Sequence, residues 1–580
     1  MFSVSALKPA IQFVNTKILK PLIGYIVENR LAFAALLYSL LLHVTECSFR
    51  YYTDLTATLG NPIIQGLWGW LALFGLCLLP GGIPAKILLS IFLFLQSLET
   101  FCAAFLCAVF SLSLRAEAFA ILAVSSPEEV RDFTSRFFTW KLFLSITAVL
   151  AVYSFVLCTI WRSRLKRAWS LYAICGILLL PQLVNTIRFS VRGDYDDIYR
   201  HNSLSMLAFS YGKFESDMHK LTDMEKHPQL PPNVRYQGND EKMLAIVVIG
   251  ESATRFHHSI YGYPRSTNPN LEAKKDLYVF SDVISGYAQT VQSFLYMMTA
   301  QNGQQKQDYR YTMFDVFKKA GFKVQLYSNQ NRWGKYDSPI SILTAHADSR
   351  FYLQEHDLGS LDDGLVHEFR KRPGKTDHPT LAVFHLIGSH NSFDKRSPKE
   401  QKVFNAANRP ESPCTVEDWD EFDEYDNSIR FTDHVLGMLI DTIDAEPGPA
   451  FMLYCSDHGE SPELFFSSPR SGTSKNPVCY EIPFVFYANA AYREKYPETI
   501  KTIQANLDKP YVTDDLMYSV FSAAQITFDD FPHDKDLFSP GFTPPVRRCM
   551  GGSSALYETR RNPFSIPSAS EQKKRGGEGK

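Results

Sequence analysis

Apolar residues are unevenly spread along this chain. Residues 1–190 are dense in Leu, Phe, Ala and Ile, whereas the remainder has the mixed pattern of a soluble domain. Five apolar stretches, at 31–49, 63–81, 87–112, 140–161 and 168–187, reach the ~20 residues that a membrane-spanning helix needs. The first starts too late, and has too many successors, for a cleaved signal peptide. After the third stretch, Ser126-Pro127-Glu128-Glu129 is a helix start: Ser as cap, Pro at the first position, Glu three residues after the cap. That pattern predicts a helix near 126–138 carrying Val130, Phe133, Phe137 and Phe138, either lying on the membrane surface or serving as a short connection. Residues 191–238 form a charged linker, broken at Pro228-Gln229-Leu230-Pro231-Pro232. Beyond it, short apolar runs alternate with helical patterns. Strands are expected at 244–249, 277–281, 323–328, 380–387, 450–455 and 482–488, and helices at 311–320, 423–445 and 513–525. The alternation predicts an α/β sandwich with a largely parallel sheet over 239–560. The tail 561–580 ends in Lys573-Lys574-Arg575-Gly576-Gly577-Glu578-Gly579-Lys580 and is expected to be disordered.

Charge sets the orientation. Lys8, Lys17, Lys20 and Arg30 precede the first span, and Arg162, Arg164, Lys166 and Arg167 fill the loop before the last. Placing both clusters inside gives five crossings and puts the residues after about 190 outside the cytoplasm. The net charge of -2 over 580 residues argues against a general nucleic-acid binder. Among the ten cysteines, Cys47, Cys77, Cys102, Cys107, Cys158 and Cys175 lie in or beside the spans as small apolar residues. Cys414, Cys455, Cys479 and Cys549 fall in the exported part, where disulfides can form; their pairing is not readable from the sequence. Glu99, inside the third span, is either a functional carboxylate or a helix–helix hydrogen bond.

The chemistry concentrates at strand ends. Phe451-Met452-Leu453-Tyr454-Cys455 runs into Ser456-Asp457-His458-Gly459-Glu460, and Ile246-Val247-Val248-Ile249 runs into Gly250-Glu251-Ser252. Carboxylate oxygen and imidazole nitrogen are good zinc ligands, and ligand sites of open α/β sheets lie where strands finish. Strand alternation points Asp457 and His458 apart unless the backbone turns, which Gly459 permits. Taken alone, the Asp-His pair fits equally an Asp that caps a helix and a His packed in the core. A second acidic strand end, at Glu251, favours a metal.

These residues resemble the membrane phosphoethanolamine transferases of Gram-negative bacteria, in the alkaline phosphatase and sulfatase superfamily. The resemblance runs through Val248-Ile249-Gly250-Glu251-Ser252, Tyr261-Gly262-Tyr263-Pro264-Arg265-Ser266-Thr267-Asn268-Pro269, Ser328-Asn329-Gln330, His385-Leu386-Ile387-Gly388-Ser389-His390, Tyr425-Asp426-Asn427-Ser428-Ile429 and the Asp457-His458 segment. The Gly-Glu-Ser opening and the Ser-Asn-Gln segment look most like the branch acting on the lipopolysaccharide core. The resemblance implies a five-helix membrane bundle joined to an α/β sandwich of alkaline phosphatase type. It implies a multi-pass protein of the bacterial inner membrane, with its catalytic domain in the periplasm.

By the same resemblance Thr290, in Ser285-Gly286-Tyr287-Ala288-Gln289-Thr290-Val291, is the nucleophile; the residues alone read it as a helix N-cap, and the two roles are compatible. The implied zinc ligands are Glu251, Thr290, Asp457 and His458. Zinc would lower the pKa of the threonine hydroxyl. His390 is implied as a phosphate contact or general acid, where a lone His reads as structural. Asn329 and Lys335 are implied near the phosphoethanolamine group, with a solvated lysine as the plain alternative for Lys335. Tyr425, Asp426 and Asp433 are expected to pack and support the site. Arg470 stands where the family carries a further site histidine. A guanidinium binds phosphate but does not ligate zinc, so one catalytic zinc is expected rather than two. Cysteines flanking the nucleophile in many relatives are absent, and Ile121 and Val124 replace the family's Asn and Glu.

The implied donor is phosphatidylethanolamine and the implied acceptor a lipopolysaccharide, core sugar or lipid A; no nucleic acid partner and a monomer are expected. Amine-bearing groups mask anionic phosphate, so altered polymyxin sensitivity is also expected. A glycerophosphate transferase on the same fold is the alternative. A formylglycine sulfatase is disfavoured, because Thr290 is neither Cys nor Ser. A non-enzymatic scaffold is disfavoured by the complete ligand set.

Overall fold

A computed structural model describes residues 16, 35–42, 45, 74–110, 140–163, 165, 203–238, 242–300, 309–330, 339–356, 359–371, 378–409, 418–460, 477–549 and 555–556. The chain divides into two compact units, residues 1–119 with 127–214 and residues 120–126 with 215–580.

In the first unit, helix α1 covers Gly82–Phe110 and helix α2 covers Trp140–Arg162. Within α1, Gly82–Phe105 is long and apolar enough to cross a membrane; Ile146–Arg162 in α2 is a shorter apolar stretch. The helices pack through Leu89, Phe92 and Leu93 against Val156 and Ile160. Lys86 donates to the Trp161 carbonyl at 2.7 Å and Tyr153 to the Ser90 carbonyl at 3.1 Å. Glu99 is buried. The expected spans at 31–49 and 63–81 are described only in part. Those at 168–187, the surface helix near 126–138 and the tail 561–580 lie outside the described residues.

Helix α3 covers Ser203–Lys226, and its end brings Leu221 and Met224 into the core of the second unit. There follow β1 (Leu244–Gly250), β2 (Leu277–Val279), α4 (Thr290–Met298), α5 (Met313–Lys319), β3 (Lys323–Ser328), β4 (Ser349–Tyr352), α6 (Asp363–Arg370), β5 (Thr380–His385), α7 (Trp419–Asp444), β6 (Ala450–Ser456), β7 (Phe484–Ala488) and α8 (Leu516–Ala523). The seven strands form one sheet in the order β2-β7-β6-β1-β5-β3-β4. The five from β6 to β4 are parallel; at the other edge β7 pairs antiparallel with β6, and β2 pairs antiparallel with β7. Every residue of β1 and β6 is buried. That is the pattern of parallel strands covered on both faces, and it is why the two read as unbroken apolar runs.

Alternation divides the side chains between two layers. Ala245, Val247, Ile249, Leu453 and Cys455 meet α4, α5 and α8 through Phe294, Phe314 and Phe521. Leu244, Ile246, Val248, Met452 and Tyr454 meet α6 and α7 through Phe369, Val435, Leu439 and Ile440. Asp418 caps α7, its side chain accepting from the amides of Asp420 and Glu421. The stripe Phe431, Val435, Leu436, Leu439, Ile440 and Ile443 is fully buried, worth roughly 1.5–3 kcal/mol for each large side chain. The segment 531–542 seats Phe531, Leu537, Phe538 and Phe542 on the α8 side. Its fully buried Asp536 accepts from the Phe538 amide at 2.8 Å and from the Ser522 hydroxyl, and burial pushes its carboxyl up to about 7.

Helix 513–525 is observed as a 3-10 turn, Thr513–Asp515, continuing into α8. Strand β4 was not anticipated: it is an edge strand with two exposed residues and no apolar run.

Candidate metal and nucleophile site

The site lies at the carboxyl ends of β1, β5 and β6. Gly250 pairs with Ser456, and Ile249 with both His385 and Cys455, so Glu251 and Asp457 leave adjacent strands at the same level. One ligand atom from each of Glu251, Asp457 and His458 can be chosen with all three within 4.8 Å of one another. His458 Nε2 lies 3.3 Å from Glu251 Oε1 and 3.6 Å from Asp457 Oδ2. The Nδ1 of His458 faces the Gly459 carbonyl at 2.9 Å. A carbonyl only accepts, so Nδ1 carries a proton, and Nε2, which faces the two carboxylates, is the atom that would meet a cation once its own proton leaves.

Gly459 serves by close approach rather than by a special backbone angle: a Cβ there would meet the Val478 carbonyl at 2.4 Å. Asp457 Oδ1 accepts from the amides of Ser252 (3.0 Å) and His458 (2.7 Å). Its Oδ2 is buried and has no hydrogen-bond partner among the described residues.

Burial penalises the charge on each of the three. Even so, Glu251 is held below the usual carboxylate range by the His458 hydrogen bond and charge. Asp457 is pushed up by burial and by the neighbouring Glu251 charge, and His458 is pulled up against burial by Asp457 and Glu251. Two buried carboxylates and an imidazole competing for a proton, with one carboxylate oxygen bare, fit a divalent cation. Bound, it would replace that proton.

Thr290 is the first residue of α4; the cap position belongs to Gln289, one residue earlier than the sequence reading placed it. Its hydroxyl lies 3.1 and 3.3 Å from the two Glu251 carboxylate oxygens. His390 is half-buried in the loop after β5, where Arg396 holds its carbonyl at 3.1 Å. Its charge is among the influences that lower Glu251.

Asn329 behaves differently from expectation. It is fully buried and its amide donates to Asp362 Oδ1 at 2.9 Å and the Ser360 carbonyl at 3.0 Å, while its oxygen accepts from Gln354 at 2.6 Å. With the side chain committed to the 354–362 segment, the expectation that Asn329 meets the substrate does not fit this arrangement. Asp362 in turn accepts from the amides of Ile387 and Gly388, both at 2.9 Å. Gly388 has φ +45, and a Cβ there would lie 2.9 Å from both backbone N and O of Glu251. The Ser389 amide also donates to the Glu251 carbonyl at 2.9 Å. Asn329 and Asp362 thus shape the loop that presses on Glu251.

Lys335 and Arg470 lie outside the described residues. Two residues carried no expected role. Gln330 donates its amide to Glu251 Oε2 at 3.2 Å and to the Leu386 carbonyl at 3.0 Å. His385 is buried, its Nε2 has no partner among the described residues, its ring lies 4.9 Å from that of Phe294, and burial pulls it down to about 4. A polar residue closing an otherwise apolar strand was the available signal for His385. Asp433 accepts from the amides of Asn270 and Leu271 at 2.8 and 3.0 Å and so caps a short helical turn.

Three comparisons bear on this arrangement. The Sulfatase family profile matches residues 244–526. The phosphoethanolamine transferase EptC of Escherichia coli O18:K1:H7 is 23% identical over 456 residues, covering 74% of this chain and 78% of that protein. The periplasmic domain of E. coli EptC, solved as a complex with Zn, superposes with a TM-score of 0.54 at 23% identity over 58% of this chain and 99% of that one. The integral membrane lipooligosaccharide phosphoethanolamine transferase A of Neisseria meningitidis superposes with a TM-score of 0.63 at 18% identity, covering 89% of this chain and 98% of that one.

Proposed function

Residues 244–526 are a sulfatase-family domain whose relatives are phosphoethanolamine transferases, and from that premise we propose that this chain moves phosphoethanolamine from phosphatidylethanolamine to a lipopolysaccharide acceptor. The observation that carries the reading is the Thr290 hydroxyl, at the first turn of α4, 3.1 Å from a carboxylate of the buried Glu251, Asp457 and His458 cluster. Glu251, Asp457 and His458, with Thr290, would hold one zinc ion, which would lower the pKa of the hydroxyl and polarise a phosphoryl oxygen.

The chain's own groups then divide the work. Thr290 attacks the donor phosphorus, forming the Oγ1–P bond while the P–O bond to diacylglycerol breaks. The open amides of the first turn of α4 suit the phosphoryl oxygens. His390, beside the cluster, is the proton donor to the leaving alkoxide or a phosphate contact. Lys335 and Arg470 are proposed as further phosphate contacts. In the second step an acceptor hydroxyl or phosphate takes the group from Thr290. A membrane tether in the bacterial inner membrane, with the catalytic unit in the periplasm, keeps the site near a lipid donor. The lipopolysaccharide core is the favoured acceptor.

Incubating the purified chain with phosphatidylethanolamine and measuring intact mass tests this. A phosphoethanolamine increment is expected on the wild type and absent from Thr290→Ala. An adduct that persists in the variant refutes Thr290 as nucleophile, and a phosphoglycerol increment from mixed lipids replaces the donor.

A further inference from the structure

We propose that Tyr425, through Ser252, is the positioning residue that sets the affinity of this site for its metal. The inference rests on the zinc reading given above. Ser252 is a non-glycine residue in the left-handed region, at φ +56, a conformation that persists only where the surroundings impose it. What imposes it is visible. The Tyr425 hydroxyl donates to the Ser252 carbonyl at 2.8 Å and accepts from the Thr254 amide at 3.0 Å, so one phenol grips both sides of the turn. The Ala253 amide donates to Ser456 Oγ at 2.9 Å, which anchors the same turn to the end of β6.

Held this way, Ser252 organises both carboxylates. Its amide donates to Asp457 Oδ1, and its hydroxyl donates to Glu251 Oε1 at 2.8 Å. Because Oδ1 is occupied by the Ser252 and His458 amides, Oδ2 is the oxygen left for a cation. Partners of this kind fix the orientation of metal ligands and tune their affinity.

Tyr425 is itself immobilised. It is fully buried, with ring centroids 5.0 Å from Phe393 and 4.9 Å from His257, the latter at 88°. His257 Nδ1 meets Asp426 Oδ1 at 2.6 Å, and Asp426 Oδ2 accepts from Tyr263 and Arg265, both at 2.7 Å. Arg265 also reaches Asp423 at 2.6 Å. The run Tyr263-Pro264-Arg265 thus acts at a distance, by locking the ring whose hydroxyl holds the metal-site turn.

The test measures zinc affinity of the full chain in detergent by competition with a chromophoric chelator, alongside melting temperature. Tyr425→Phe keeps the ring and deletes both hydroxyl contacts; its zinc Kd should rise by about 10-fold or more. Ser252→Gly tolerates the left-handed turn and keeps the amide while losing the hydroxyl, so a smaller rise is expected. It serves equally if Tyr425→Phe folds poorly. Phe393→Leu loosens the packing of the same ring while leaving its hydroxyl in place, and should lower the melting temperature with a smaller rise in Kd than Tyr425→Phe gives. A wild type that binds zinc, with Tyr425→Phe and Ser252→Gly binding equally well, overturns the positioning role while leaving the zinc reading intact. A wild type that binds none overturns both.

Discussion

Replacing Asp536 by Asn tests how a buried carboxylate shapes the pH dependence of this fold. Burial raises its carboxyl from 3.8 to about 7. A folded-state pKa above the unfolded one means that the native state retains a proton the unfolded chain releases. The contribution of Asp536 to stability is therefore intact below the unfolded value and falls as pH rises toward the folded one. From those two values, the cost of ionisation is about 2 kcal/mol at pH 5 and about 4 kcal/mol at pH 7.5. Asn has the same shape, can accept from the Phe538 amide and meet the Ser522 hydroxyl, and does not ionise. Relative to wild type, Asp536→Asn should gain about 2 kcal/mol between pH 5 and 7.5, or roughly 3 °C of melting temperature for a unit of this size. Thermal unfolding of the detergent-solubilised chain, followed by intrinsic fluorescence across that interval, reads the difference directly. A wild-type-to-variant difference that stays flat, or that shrinks as pH rises, refutes the assignment of a raised carboxyl to this position.

Three further outcomes follow from the geometry. Gly388→Ala places a Cβ against the Glu251 backbone in a left-handed turn and should weaken zinc binding and transfer together, by about 10-fold or more. Gly321→Ala, at φ +90 with nothing within 4 Å, carries strain alone, and should lower melting temperature without changing zinc affinity. Zinc at 100 times its Kd should stabilise the wild type by about 2.7 kcal/mol; Glu251→Gln should lose most of that stabilisation, read as a melting shift on zinc addition and its reversal by a chelator.

The central strands were legible because β1 and β6 are buried on both faces and therefore run apolar from Leu244 to Gly250 and from Ala450 to Cys455. The edge strand β4 was not, since Ser349 and Arg350 are exposed and the segment owes its conformation to pairing with β3. Residue types at strand ends pointed to Glu251, Asp457 and His458, and the structure brings these three together. Orientation was beyond the same reading. Asn329 and Gln330 are neighbours, yet Asn329 turns to Asp362 and Gln330 to Glu251, a choice made by partners dozens of residues away. Tyr425 is the extreme case, since nothing near it in the chain reveals that its hydroxyl meets Ser252.

The register that sets Gly250 beside Ser456 also governs when a metal can be held. Ser252 and Asp457 are 205 positions apart, and they meet only once β1 has paired with a strand made from the far end of the domain. Such long-range pairing is slow to form. No early local structure contains both carboxylates, so a cation would be captured only after the centre of the sheet has closed, and would then oppose its reopening. Zinc uptake during refolding should accordingly lag the appearance of helix and coincide with protection of the β1 and β6 amides. With a cation bound, the site would act as a late latch on the assembly of its own domain.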